Sequence, residues 1–144
     1  MAGTFYLYRM SQRNRDAGHS FERDCVNEFR KAGFEYVQTS RQANRQRDAE
    51  KVDLAYADEI RHGRFPYNVQ CKTTAATLNY LKVMDEIPLI PGIRNIVVHK
   101  KTKRQGTKFV TKGRYVFMYS ADFFEMLTEL EALKKEVALL KSKL

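Results

Sequence analysis

From Phe123 onward, apolar side chains recur at intervals of three and four: Phe123, Met126, Leu130, Leu133, Val137, Leu140 and Leu144. That spacing is the a/d seam of a helix that meets a partner helix. It sets residues 121–144 apart from a body formed by residues 1–120. The flanking charges bear on the partner. Glu129 and Glu136 fall at g positions, Lys134 and Lys141 at e positions. In a parallel pair each g residue faces the e residue five places on in the other chain, which gives Glu129–Lys134 and Glu136–Lys141 attractions. An antiparallel pair sets like charges together. The pattern predicts a parallel homodimer joined through Leu130, Leu133, Val137, Leu140 and Leu144. The alternative is a helix that lays its stripe on its own body, which would suit Phe123 and Met126.

The body is basic. The chain of 144 residues carries a net charge of +9. The last 24 residues hold five acids and four lysines, so the first 120 hold 22 bases against 12 acids. A surface that cationic implies a polyanionic partner, of which nucleic acid is the commonest. No apolar run approaches the roughly 20 residues of a membrane span, and Met1 to Met10 lacks the apolar segment of a secretion signal. Cys25 and Cys71 are too few for a disulfide framework and match no zinc spacing. His19, His62 and His99 are scattered singly and are not expected to hold a metal. A cytoplasmic protein without a membrane partner is expected.

Along the chain, a polar stretch with Arg9, Arg13 and Arg15 leads to Gly18 and suggests a flexible basic arm. Phe21, Cys25, Val26 and Phe29 then recur at helical spacing, and Gly33 supplies the stop. An extended piece, Tyr36 to Ser40, precedes a loop carrying Arg41, Arg45 and Arg47. Val52, Leu54 and Tyr56 alternate with Asp53 and Ala55, and Tyr67, Val69 and Cys71 alternate with Asn68, Gln70 and Lys72. Both runs read as strands, paired as a hairpin. Leu78 to Ile87 reads as a helix ended by Pro88 and Pro91. Ile93 to His99 and Arg114 to Tyr119 read as further strands, and Ser120 as the N-cap of the last helix. The expected class is α/β: one mixed central sheet flanked by helices, with a long C-terminal helix.

One set of residues suits phosphodiester chemistry. Cleaving a phosphodiester needs a placed water, a divalent ion and a cation for developing charge. Magnesium takes oxygen ligands, typically one or two carboxylates with carbonyls and waters. Gln70 and Lys72 share a face because strand side chains alternate. With Asp53 they can converge on the outer face of the sheet, beside the main-chain carbonyl of Cys71. Glu22, at the edge of the apolar stripe of the first helix, could approach the same point. Asp48 and Asp58 are rivals to Asp53, but only Asp53 sits within an alternating apolar strand.

Gly18-His-Ser-Phe-Glu22-Arg23, Ala32-Gly33-Phe34, Lys51-Val52-Asp53-Leu54 and Val69-Gln70-Cys71-Lys72 together resemble the PD-(D/E)xK nucleases, and among them the archaeal-type Holliday-junction resolvases. The resemblance implies a restriction-endonuclease-like core and a homodimeric, structure-selective endonuclease of four-way DNA junctions. It implies magnesium, with manganese as a substitute, held by Glu22, Asp53 and Gln70. Lys72 would orient or help deprotonate the attacking water, and Arg23 and Arg41 would hold phosphate. Position 70 departs from the pattern, which has Glu there. A Gln oxygen still ligates magnesium but brings no charge, and Mrr-like restriction nucleases look similar in using Gln-x-Lys. A duplex nuclease and a non-catalytic DNA-binding module therefore stand as alternatives.

Between Lys100 and Arg114 lie seven bases and no acid. This reads as a long cationic hairpin able to track phosphates through Lys100, Lys101, Lys103, Arg104 and Lys108. Arg9, Arg13, Arg15, Arg45 and Arg47 are further candidates for DNA contact. No base-reading motif appears, so recognition by shape and charge is expected.

Overall fold

A computed structural model describes the backbone of residues 2–144 and the side chains from Gln12 onward. Its first element, α1 (Ala2–Lys31), is one continuous helix of 30 residues. The expected basic arm is therefore helical, with Arg13 and Arg15 exposed on it; the side chain of Arg9 lies outside the described residues. Gly18, expected to precede the helix, lies inside it. Gly33 stops α1 as its position suggested. It takes φ +112°, its N–H bonds to Arg30 O, and the Phe34 N–H reaches back to Phe29 O at 3.0 Å. This is a left-handed glycine cap with its usual apolar clasp, here Phe29 against Phe34 with ring centroids 6.1 Å apart.

β1 (Val37–Thr39) leads to two short helices, α2 (Ser40–Ala43) and α3 (Arg45–Ala49), where a loop was expected. Asn44 caps α3 by accepting from the Arg47 N–H. β2 (Leu54–Tyr56) pairs antiparallel with β1. After α4 (Glu59–His62), capped by Asp58, comes β3 (Tyr67–Thr74). α5 (Tyr80–Glu86) then crosses to β4 (Arg94–Gln105), which lies parallel to β3. β5 (Lys108–Met118) returns antiparallel to β4. The expected single mixed sheet is thus a two-stranded sheet, β1–β2, and a three-stranded sheet, β3–β4–β5. The Asp53 N–H bonds Val69 O at 2.8 Å between them, and Asp53 O accepts from the Ser40 N–H at 2.7 Å.

Two cores hold the strands. Phe21, Cys25 and Val26 of α1 pack with Val37, Leu54, Tyr56, Phe65 and Val69, and Phe29, Phe34 and Tyr67 close the end of that cluster. On the opposite face Val97 meets Val83, Met84 and Ile87. Helices thus cover both faces of the three-stranded sheet. Asn68 and Asn95, both buried, bond to each other at 3.1 Å and to Pro88 O at 3.2 Å each, tying the parallel strands to the end of the crossover.

α6 (Ser120–Ser142) starts after Tyr119 rather than Ser120 and has no side-chain cap bond. Arg94 holds it to the body through Nη2, 2.6 Å from Glu125 and 2.9 Å from Glu129. No residue of α6 is buried, and Leu130, Leu133, Val137 and Leu140 are all about half exposed. The seam therefore does not pack on its own body. No helix among the described residues is long and apolar enough to cross a membrane.

A Cβ built on Gly18 meets nothing within 4 Å, so the helix there bears glycine's entropic cost without a steric reason. Gly18→Ala should stabilise the protein by about 0.5–1 kcal/mol, read as a higher midpoint in denaturant melts followed by circular dichroism. A loss of stability would mean that the helix needs to bend at that point.

Candidate functional site

Asp53 is placed by its own peptide. With its N–H on Val69 and its C=O on Ser40, its side chain enters the gap between the two sheets, where Oδ2 accepts the Cys71 N–H at 2.7 Å. The Asp53 carboxyl is pushed up to about 7. Burial is the largest cause. The Cys71 N–H opposes it, the Glu22 charge adds to it, and the Lys72 charge opposes it. Both Glu22 and Lys72 thus act on Asp53 across the site.

Glu22 is aimed by its neighbour. Phe21 is only 1% exposed, so its anchoring in the α1 core turns the next side chain towards the gap between β2 and β3. There Arg41 Nε meets Glu22 at 3.1 Å. Arg41 is therefore tied to a carboxylate through Nε, and the phosphate contact expected of it falls to its Nη groups. Asp48 is exposed and Asp58 caps α4, so neither displaces Asp53.

Gln70 also differs from expectation. It does not lie on a wet outer face: it is 7% exposed, beside Val97 in the parallel register, because α5 covers that side. Its Oε1 is buried and has no hydrogen-bond partner. A buried acceptor left unpaired costs about 1–3 kcal/mol, a cost that a donor or a cation at this oxygen would relieve. Ser40 Oγ, one residue from Arg41, is buried and unpaired in the same way; nothing in the spacing of the sequence pointed to Ser40. Lys72 is half-buried, on the same face as Gln70. In an extended strand the N–H and C=O of one residue leave on the same side, so the Cys71 carbonyl points to the side on which its N–H meets Asp53.

The donors at this edge of β3 are oxygens: the Asp53 carboxylate, on which the Glu22 charge bears, the main-chain carbonyl of Cys71, and, on the side of the strand that α5 covers, the unpaired amide oxygen of Gln70. Such a set fits a hard cation such as magnesium, whose charge would offset the unfavourable proximity of Asp53 and Glu22. Among the described residues no three His, Cys, Asp or Glu side chains form a metal cluster; the third side-chain donor here is Gln70. His99 and His62 do other work, His99 in buried hydrogen bonds and His62 stacked on Tyr36 at 3.7 Å.

The basic residues divide. Arg47 is clamped by Glu50 at 3.0 Å and Glu59 at 3.1 Å and belongs to the α3–α4 corner, not to a DNA surface. Arg13, Arg15, Arg23 and Arg45 are exposed and form no ion pair among the described residues. Lys103, Arg104 and Lys108 are exposed on the β4–β5 ribbon, while Lys101 Nζ donates to Ala75 O at 2.6 Å.

No protein-family model matches the chain, no curated protein matches it, and no solved structure matches it.

The raised Asp53 carboxyl has a signed consequence. The folded chain holds this proton more tightly than the unfolded chain does, so the stabilisation is complete below about pH 4 and is lost as pH rises through about 7. Asp53→Asn keeps the neutral form at every pH. The variant should therefore gain on the metal-free wild type by up to about 1.4 kcal/mol per pH unit inside that window, as measured by calorimetry from pH 4 to pH 8. A pH-independent difference would return Asp53 to the ordinary carboxylate range.

Proposed function

We propose that this protein is a magnesium-dependent endonuclease of branched DNA, with a restriction-endonuclease-like core, that acts as a homodimer. One observation carries the reading. The charges of Glu22 on α1 and Lys72 on β3 both bear on the Asp53 carboxyl just before β2, and Gln70, two residues from Lys72 on the same strand, carries a buried oxygen without a partner. The order α1, β1, β2, β3, α5, β4, with β3 and β4 parallel, supports the core.

In this reading Asp53, Glu22, Gln70 Oε1 and the Cys71 carbonyl hold magnesium, which when bound polarises the phosphate and lowers the pKa of water. Asp53 must lose its proton to serve, so protons compete with magnesium at this carboxyl and the magnesium requirement rises as pH falls below about 7. Lys72 orients the attacking water and offsets negative charge building on the phosphate. Arg41 holds Glu22 in place through its Nε at 3.1 Å. Arg23 and Arg45, with Lys103 and Lys108 of the ribbon, bind the DNA backbone by charge and without base readout. Position 70 favours a second reading. An amide where the resolvase pattern has a carboxylate suits an Mrr-like duplex nuclease, or a binding module that has lost activity.

One assay separates these: labelled four-way junction, duplex and single strand, each incubated with magnesium or with EDTA. Paired symmetric nicks confined to the junction and to magnesium are expected. Duplex cuts would give the second reading, and binding without cleavage the binding module. Lys72→Ala should lower cleavage by about 100-fold or more while DNA affinity, which rests on dispersed cations, stays nearly intact. Gln70→Glu should retain cleavage at a lower magnesium requirement. An unimpaired Lys72→Ala enzyme would discard this site.

The exposed seam of α6 supports the homodimer. Arg94 already engages Glu129, so the Glu136–Lys141 pair remains to set the parallel register and Glu129 does so only in part. Deleting residues 130–144 should shift the protein towards monomer in sedimentation and reduce paired relative to single nicks. An equally tight dimer after the deletion would remove α6 from the assembly.

A further inference from the structure

The β4–β5 ribbon uses its cations differently on its two faces. Alternation along β4 places Val98, Lys100, Thr102 and Arg104 on one face, and Val97, His99, Lys101 and Lys103 on the other. The first face turns to α1. Lys100 Nζ lies 6.0 Å from the centre of the Phe21 ring, and its cross-strand partner Arg114 lies 5.5 Å from it, with Nη2 3.4 Å from Asp24. These cations are engaged by their own fold. The second face continues the side of β3 that carries Gln70 and Lys72. Lys72 lies beside His99 in the parallel register, and His99 beside Tyr115; the next row is Thr74, Lys101 and Gly113. Beyond it Lys103 pairs with Val110, and Gln105 with Lys108. A file of lysines therefore starts at Lys72 and runs outward through Lys101 and Lys103 to Lys108. Successive positions on one face lie about 6.8 Å apart, a stride comparable to that between phosphates on one strand, and no acid interrupts it.

At the inner end of this file is a depression of about 370 Å³, lined by Tyr80, His99, Lys101, Lys112 and Tyr115 among others. Its parts are built for the place. Lys112 is the extra residue of a bulge, facing no partner on β4, and a bulge re-aims its side chain. A Cβ on Gly113 would stand 2.5 Å from Tyr115 Oη, so the glycine lets the Tyr115 ring lie across the strand. The floor is rigid: His99 is 2% exposed and bonds Thr74 Oγ1 at 2.8 Å and Tyr80 Oη at 2.7 Å, while Tyr80 stacks on Phe117 at 4.9 Å. Burial, and then Lys101, lower the His99 pKa, so the ring is neutral at pH 7 and the charge of the depression is that of its lysines. Two ammonium groups, an accessible aromatic ring and room for a small ligand match one nucleotide.

We propose that a single DNA strand leaves the candidate site along this one face. The nucleotide beyond Lys72 seats its base on Tyr115 and its phosphate on Lys101 and Lys112, and the following phosphates meet Lys103 and Lys108. The opposite face, with Lys100, Arg104 and Arg114, stays off the strand. The starting point at Lys72 rests on the nuclease reading above.

Two charge-matched double variants test the face: Lys103→Gln with Lys108→Gln, and Lys100→Gln with Arg104→Gln. Binding of a short single strand is measured in EDTA over a salt series, with folding checked by circular dichroism. The first pair should reduce the slope of log affinity on log salt by about 1.4, at about 0.7 per contact on single strands. The second pair should leave it unchanged. Equal losses from both faces would overturn the track. A strand carrying 2-aminopurine tests the depression. Its fluorescence should change on binding to wild type, and that change should shrink in Tyr115→Leu and in Gly113→Ala, which displaces the ring without removing a side chain. A response untouched by both variants would overturn the nucleotide seat. Wild type that binds this way but cuts nothing in magnesium would remove the nuclease reading and leave the track standing.

Discussion

Asp53 is joined to its surroundings through three atoms, and most of the architecture turns on that junction. Its N–H bonds Val69 O, its C=O receives the Ser40 N–H, and its carboxylate receives the Cys71 N–H. The first bond connects the two sheets across the gap, the second carries the β1–β2 pairing one residue further, and the third draws an acid into the gap. Bonds between main-chain groups in a dry interior are worth little net individually, but they are costly to leave unmade. A rearrangement that withdrew the Asp53 side chain from the gap would break its bond to Cys71 and disturb the link between the sheets. The junction therefore keeps a carboxyl in a place that raises its pKa, where only a proton or a cation relieves it.

Local periodicity carried the parts of the site that the sequence made legible. Alternation through Tyr67–Lys72 is enough to put Gln70 and Lys72 on one face of β3, because a strand's side-chain period is set by the strand alone. Asp53 stands just before β2, which is buried at all three positions, and is placed by its bonds to Val69, Ser40 and Cys71 instead. Gly33 was legible for the same reason, since its cap bonds close within five residues. What escaped depends on partners far along the chain. Arg41 meets Glu22 across 19 residues, Arg47 meets Glu59 across 12, and Asn68 meets Asn95 across 27. No spacing rule marks any of these, so Arg41 and Arg47 looked like free phosphate ligands. Gln70 looked solvated because the helix that covers its face lies beyond the next turn of the chain.

The N-terminal stretch escaped for a different reason. Residues 11–17 lack an apolar stripe, and periodicity is silent where a helix has no face to bury. Their helicity is continuous with the anchored half of α1, where Phe21, Cys25 and Val26 fix the axis. Once the costly first turn exists, each further turn adds hydrogen bonds without a new nucleus, so a polar segment without proline can extend a helix that packing has begun. Arg13 and Arg15 are thereby displayed along a rod rather than on a tether.

α6 obeys the opposite balance: abundant apolar surface and almost no core to receive it. Arg94 grips Glu125 and Glu129, one turn apart, and beyond Glu129 no hydrogen bond or ion pair ties the helix to the body among the described residues. The clamp sets where the helix departs, and the seam from Leu130 is left to find its complement elsewhere. An antiparallel partner would still bring Lys134 and Lys141 towards their own copies, since neither is engaged by the body, whereas a parallel partner sets Lys141 against Glu136. The charges that Arg94 leaves free thus still favour the parallel orientation, with a smaller electrostatic share than if Glu129 were unengaged. A parallel pair places both bodies at one end, related by a twofold axis. Two copies of the gap at Asp53 would then be related by that axis, the symmetry that paired cuts on a four-way junction require.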